Sequence, residues 1–170
     1  MVQPSTGTFL QILSQRIGGY DGYELKQQRQ ESDRRMRKFL VTYIKTLLDA
    51  LTAFPKASLQ EDQPRLQDLT ASTKRMLNTI GQSLSEPTYT GTSFFFLDQL
   101  PAKRLDHIYK FENTMVTELL GVAEELQSLK SKELFKTVIE DHFLHIKDFI
   151  DNFNQALFER ESLILGNDKA

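Results

Sequence analysis

Residues 36–54 read MRKFLVTYIKTLLDALTAF. Apolar side chains recur in this stretch at alternating spacings of three and four, which is the pattern of one helix face packed along a seam. Pro55 follows directly, and proline both lacks the amide donor and disfavours helix in the residue before it. The stretch therefore predicts the C-terminal part of a long amphipathic helix whose inward row is Met36, Leu40, Tyr43, Leu47, Ala50 and Phe54.

The same spacing recurs along the rest of the chain and predicts further helices. Only eight glycines and five prolines occur, and most of them stand between the periodic segments. Four long segments of similar length predict an all-α fold, namely an antiparallel four-helix bundle in a single domain that spans residues 1–170. We expect a short N-terminal amphipathic helix at about residues 8–17 and long helices at about residues 23–54, 58–84, 99–127 and 131–165.

The boundary between the last two long helices is predicted from the phase of the apolar pattern. An unbroken third helix would carry its inward row onto Glu133, Lys136 and Glu140, all of which are charged. We therefore expect a turn at residues 128–131, with Ser131 as the cap of the next helix.

Length and composition are those of an ordinary globular protein, with 170 residues, 39% hydrophobic and 26% charged. The formal net charge of -2 argues against a dedicated nucleic-acid binder. The chain has no cysteine, which excludes disulfides and zinc-thiolate sites. Residues 1–8 do not read as a secretory signal, and no segment is apolar enough to span a membrane. We expect a soluble, cytoplasmic protein.

A polar cluster in the C-terminal half is the candidate for chemistry. Glu112 falls on the inward row of the third long helix, His142 falls on the inward row of the fourth, and His145 follows within a turn of His142. A hairpin that turns near residues 128–130 would place Glu112 opposite His145. Carboxylates and imidazoles bind metals, so Glu112, His142 and His145 form a candidate metal site. The alternative is a buried Glu–His hydrogen bond without chemistry.

Two further features are candidate interaction surfaces. Phe94, Phe95 and Phe96 lie together in a long predicted connection, where they either form an exposed patch or cap one end of the bundle. Arg34 and Arg35 lie in a run of mixed charges. They either form ion pairs along a solvated helix face or contact an acidic partner, a membrane surface or RNA.

A glycine- and tyrosine-rich stretch precedes the first long helix. It reads GGYDGYELK over residues 18–26, and Arg29, Asp33, Arg34 and Arg37 follow it. This opening resembles that of uncharacterised bacterial helical-bundle proteins, in which a Gly-Tyr-x-Gly-Tyr turn leads into a charged Arg/Asp-rich helix. The resemblance implies a helical fold and carries no catalytic residue across to this chain.

These features favour a non-enzymatic helical bundle that acts through protein–protein interaction. The expected partner is another protein or a second copy of the chain, and no cofactor is expected. The alternative is a small metal-binding or redox bundle that uses Glu112, His142 and His145. A third hypothesis is a peripheral membrane or nucleic-acid contact through residues 29–38.

Overall fold

The computed structural model describes residues 6–53, 64–130 and 136–166. Within these ranges the chain is all-helical and contains no strand, which confirms the predicted all-α class. The longer helices are α1 (Thr6–Arg16), α2 (Arg29–Ala53), α3 (Pro64–Ser85), α4 (Ala102–Lys130) and α5 (Lys136–Leu165), and two 3-10 turns cover Lys26–Gln28 and Ser93–Phe95.

Helix α2 begins later than its apolar pattern predicts, because residues 18–25 form a separate turn. Gly19 and Gly22 adopt φ angles of 76° and 77° in this turn. Side-chain-bearing residues rarely adopt such angles, so glycine at both positions keeps the segment out of a helix. The predicted helix start at residue 23 is therefore wrong, whereas the end near residue 54 lies outside the described residues.

The other helix boundaries follow the predictions more closely. Helix α3 begins at Pro64, a residue suited to the first helical position because its missing amide hydrogen would be unpaired there. Residues 58–63, 131–135 and the predicted cap Ser131 lie outside the described residues. Helix α4 continues to Lys130, so the turn expected from residue 128 onward is wrong for residues 128–130.

Contacts between the helices define their relative directions. Helices α4 and α5 are antiparallel, since Arg104 near the start of α4 donates to the carbonyls of Leu163 and Ile164 near the end of α5. Helix α2 also packs against α3, with Arg37 of α2 donating to the Leu84 carbonyl at the end of α3. Arg160 near the end of α5 donates to Asp33 near the start of α2, so α2 and α4 begin, and α3 and α5 end, on the same side of the molecule.

Helices α3 and α5 run in the same direction where they pack together. Arg65 at the start of α3 forms an ion pair with Glu140 near the start of α5, at 3.0 Å. Thr88, just beyond α3, donates to Glu161 near the end of α5. The packed pairs therefore differ in direction, since α2–α3 and α4–α5 are antiparallel whereas α3–α5 and α2–α4 are parallel.

Residues 86–101 connect α3 to α4 and lie on the side where α3 ends and α4 begins. We call this side of the molecule the loop end. Phe94 and Phe95 are buried there, whereas Phe96 and Leu97 are exposed. Two residues of this apolar run are therefore buried, as expected of a cap on the helices, and the other two are exposed, as expected of a surface patch.

Most of the core on α2 comes from the predicted inward row, with Met36, Leu40, Leu47 and Ala50 buried as expected. The predicted Tyr43 is only partly buried, and the neighbouring Ile44 is buried in its place. Helix α1 packs against α4 rather than standing free. Within the described residues, no helix combines the length and the apolarity needed to cross a bilayer.

Candidate functional site

A group of charged and phenolic side chains is buried beneath the loop end. Arg160 of α5 lies at its centre, and its side chain is only 3% exposed. Its guanidinium donates to carboxylates on two different helices, Glu112 of α4 and Asp33 of α2, both at 2.8 Å. It also donates to the hydroxyls of Tyr89 at 2.8 Å and Tyr23 at 3.0 Å. One side chain therefore joins three helices, the turn and the long connection.

Glu112 accepts three hydrogen bonds in this network. The Tyr20 hydroxyl donates to one carboxylate oxygen at 2.6 Å. The other oxygen accepts from the Tyr23 hydroxyl at 2.7 Å and from Arg160 at 2.8 Å. Glu112 is fully buried, so these donors replace the water that a carboxylate would otherwise require.

Asp33 is held in a similar way one turn into α2. It accepts from Arg160 at 2.8 Å, from the Tyr89 hydroxyl at 3.0 Å and from Arg37 at 2.9 Å. Arg37 in turn donates to the Leu84 carbonyl, which fixes the last turn of α3 to the network. Two arginines thus balance two carboxylates, and the cluster formed by Asp33, Glu112, Arg37 and Arg160 carries no net formal charge.

The turn at residues 18–25 is folded so that both of its tyrosines point into this cluster. The Tyr23 amide donates to the Tyr109 hydroxyl at 2.7 Å, and the two rings stack with centroids 5.9 Å apart. A Cβ on Gly22 would lie 2.6 Å from the Tyr109 oxygen and 2.7 Å from a methyl of Leu10. Only glycine fits there, because of both the available space and the positive φ.

Arg29 forms a second buried contact between the turn and the long connection. It is fully buried, and it donates to the carbonyls of Tyr23 at 2.7 Å, Phe94 at 3.0 Å and Leu97 at 2.6 Å. These carbonyls belong to irregular backbone, which has no helical partner for them. Arg29 therefore satisfies the loop backbone directly, and burial lowers the pKa of its guanidinium.

The network shifts the pKa of Asp33 towards its charged form and the pKa values of its phenols towards their neutral form. Burial acts to raise the pKa of Asp33, but Arg160 and Arg37 outweigh that effect and hold it below its usual range. Burial, reinforced by Glu112, raises the pKa of Tyr20 and Tyr23 well above the ordinary value. Burial also raises the pKa of Tyr109 to about 12. At neutral pH the tyrosines are hydrogen-bond donors and not anions.

The structure does not bring the three predicted metal ligands together. Glu112 is bonded to Tyr20, Tyr23 and Arg160, and the expected pairing of Glu112 with His145 is wrong. His142 and His145 instead contact Glu125, at 2.7 Å and 3.1 Å. Among the residues that the structure describes, no three His, Cys, Asp or Glu side chains form a group that could hold a metal ion.

The predicted interaction residues also separate into different environments. Phe94 and Phe95 are buried at 0% and 3% exposure, so neither can contact a partner in this conformation. Phe96 is 56% exposed and keeps that role available. Arg34 and Arg35 both form ion pairs with Glu31 on the surface of α2. This is the pairing expected of a solvated helix face.

Exposed large apolar side chains of the described residues concentrate at the loop end. Lys26 forms an ion pair with Asp98, so the segment that carries Leu25 runs close to the segment that carries Phe96 and Leu97. The contact of Arg104 with the end of α5 places Leu165 on the same side. We call the four residues Leu25, Phe96, Leu97 and Leu165, which are between 38% and 56% exposed, the loop-end surface.

The sequence prediction includes only one member of the buried network, Glu112. A detectable signal for Arg160 is its spacing, since it follows Phe153 and Leu157 at the interval of the inward row and precedes Ile164. The tyrosines and Asp33 give no such signal, because their partners lie far away in the sequence.

Comparisons with protein-family models, with curated proteins and with solved structures return no match to this chain. Its function is therefore inferred from its own residues and their geometry.

Proposed function

We propose that this protein is a non-enzymatic four-helix bundle that acts through protein–protein interaction. In this proposal α2–α3 and α4–α5 are two antiparallel hairpins packed side by side, with α1 added to α4. The buried network closes the loop end and fixes the register of the helices, a role that buried ionic groups are known to serve. The cytoplasm remains our proposed location, in keeping with a chain that has no cysteine.

The loop-end surface is the observation that carries this proposal. Exposed Leu and Phe side chains are ordinary when scattered, but a group of them on one side of a protein marks a contact region. Here Leu25, Phe96 and Leu97 come from two segments that are far apart in the sequence. The network beneath holds both segments rigid, because Arg29 binds the Leu97 carbonyl and the turn that precedes Leu25.

We propose a second copy of the chain as the partner. The ion pair between Lys26 and Asp98 borders the surface and is itself exposed, with 45% and 92% of the two side chains accessible. In a twofold dimer each surface meets itself, so Lys26 of one copy can face Asp98 of the other. The charged residues at the border of one copy are therefore complementary to those of the other. Dimerisation would cover the apolar residues without leaving Lys26 or Asp98 unpaired.

The metal-binding alternative has no comparable support. Its three residues lie in two separate places, and Glu112 already accepts hydrogen bonds from three side chains. Glu112 could coordinate a metal only after Arg160 and the two tyrosines had moved away from its carboxylate.

Sedimentation equilibrium tests the proposal. We expect a dimer that is at least half formed at about 1 mM chain, which corresponds to an association free energy of about 4 kcal/mol. Phe96→Ser should weaken the dimer without changing the helical content. Asp98→Lys should weaken it by placing like charges opposite each other, and the double variant Lys26→Asp/Asp98→Lys should restore it.

Asp49→Lys provides the matched control, because Asp49 is exposed on the distant half of α2. It makes the same change in net charge and should leave the dimer intact. A wild-type protein that remains monomeric at about 1 mM would overturn the proposed self-association. Failure of the charge exchange to restore a weakened dimer would contradict the proposed pairing of Lys26 with Asp98.

A further inference from the structure

A cleft of about 290 Å³ opens between the end of α3 and the last turns of α5. This volume lies at the lower end of the range for small-ligand sites, about 300 Å³. Its apolar walls come from both helices and from the connection that follows α3. They are formed by Leu84, Pro87, Leu157 and Phe158.

The cleft carries net negative charge once its ion pairs are taken into account. Arg37 and Arg160 also line it, but the two buried carboxylates of the network balance their charges. Glu86 and Glu161 remain at the rim. Glu161 accepts a hydrogen bond from the neutral hydroxyl of Thr88 at 2.8 Å, and no cation among the described residues pairs with either glutamate.

The end of α3 adds to this preference for positive charge. The last carbonyls of a helix carry partial negative charge, which basic side chains in the last turn commonly offset. The last turn of α3 contains no basic residue of its own. Ser83 and Leu84 of this turn line the cleft, and only the Leu84 carbonyl accepts from a guanidinium, that of Arg37.

Phe158 supplies a third contact for a cation. Its side chain is 58% exposed, the most exposed large apolar residue among those described. An aromatic ring beside two carboxylates can hold a guanidinium or an ammonium group through cation–π attraction. Leu157 and Leu84 offer apolar contact for the aliphatic stem that carries such a group.

We propose that this cleft is a binding site for an organic cation, a guanidinium or primary ammonium group on an aliphatic stem. The charged head would lie between Glu86 and Glu161, against the ring of Phe158. The cleft shares no lining residue with the loop-end surface, so binding there is proposed independently of dimerisation. The cation can come from a free diamine or from an Arg or Lys side chain of a peptide.

Two-dimensional amide NMR of the full chain tests this site with defined probes. The peptide acetyl-Gly-Arg-Gly-amide has no terminal charge, and acetyl-Gly-Gln-Gly-amide is its neutral match. We expect saturable shifts at residues 83–89 and 154–161 with the arginine peptide but not with the glutamine peptide. Equal responses to the two peptides would overturn the proposal. Cadaverine, a free diamine, provides the second arm of the experiment.

The two arms distinguish the source of the cation. Tighter binding of the arginine peptide than of cadaverine supports a protein ligand, and the reverse order supports a free polyamine. No saturable shift with either probe overturns the site. Added salt should weaken binding, since the rim carboxylates are reached by solvent ions.

Three variants identify the groups that bind the cation. Glu86→Gln and Glu161→Gln should each weaken binding about two- to fivefold, the range for partly exposed ion pairs. Phe158→Leu should weaken it by a similar factor while it keeps an apolar wall. Glu118→Gln, an exposed change on α4, is the matched control and should have no effect. Unchanged affinity in all three cleft variants would contradict the assignment.

Discussion

Replacing Arg160 by methionine removes the only cation that two buried carboxylates share. In the variant Asp33 keeps Arg37 at 2.9 Å, but Glu112 keeps only two tyrosine hydroxyls. The exposed fractions of the Arg160 and Glu112 side chains are 3% and 0%, so the Glu112 carboxylate would stay buried without a cation. Breaking a buried pair by removing one partner costs about 3–5 kcal/mol. We therefore expect Arg160→Met to lower the free energy of unfolding by about 4 kcal/mol.

Urea unfolding followed by far-ultraviolet circular dichroism measures this loss, and thermal unfolding should show a melting temperature about 10 °C lower. Arg34→Met is the matched control, because Arg34 is 53% exposed and pairs with Glu31 at the surface. It should change stability by less than about 0.5 kcal/mol. The double variant Arg160→Met/Glu112→Gln should recover more than half of the loss, because the glutamine oxygen still accepts from one tyrosine, its amide NH2 can donate to the hydroxyl of the other, and no charge stays buried. A loss of less than about 1 kcal/mol for Arg160→Met would refute this account of the network.

Three other predictions concern the same end of the molecule. Above about pH 10 unfolded tyrosines lose their protons while the buried ones, with raised pKa values, keep theirs. Because unfolding then releases protons, the free energy of unfolding should fall by about 1.4 kcal/mol per pH unit for each such tyrosine. Urea midpoints that stay constant from about pH 9 to 11 would contradict this prediction. Gly22→Ala would bring a methyl group against Tyr109 at a position with positive φ, and calorimetry should show a loss of about 2 kcal/mol or more in the free energy of unfolding. Gly18→Ala is the control and should change stability little, because the space around Gly18 is open. Phe95→Ser should cost about 3 kcal/mol because the ring is buried, whereas Phe96→Ser should leave stability unchanged; equal urea midpoints for the two variants would show that the connection does not cap the helices.

Apolar periodicity predicts most of the helical structure, because packing along a seam imposes it directly. Met36 and Leu47 of α2 and Leu119 of α4 are buried as the periodicity predicts, although Ile44 is buried in place of the predicted Tyr43. The turn before α2 cannot be predicted from apolar periodicity. Tyr23 looks like the first residue of the helix, yet its amide binds the hydroxyl of Tyr109, a residue of another helix far along the chain. No local pattern encodes that contact.

The candidate site shows how a small error in a turn becomes a large error in a pairing. Glu112 is correctly predicted to face inward. Its partner is wrong, because α4 extends to Lys130 and the junction with α5 lies further along the chain. In an antiparallel pair, each residue by which the turn moves shifts the opposing residue by two positions. Glu112 therefore meets Arg160, whereas the histidines pair with Glu125.

The glycine- and tyrosine-rich turn and the charged helix that follows it have a structural use in this chain. Tyr20 and Tyr23 hold Glu112, Arg29 binds loop carbonyls, and Asp33 holds Arg160. Each of these groups is buried and bonded within the protein, so together they close the loop end of the helices and leave little capacity to bind a ligand. A function that depends on contact must then use side chains outside this motif. The exposed apolar residues above the network and the acidic cleft beside it meet that condition, and the dimer and cation experiments test them separately.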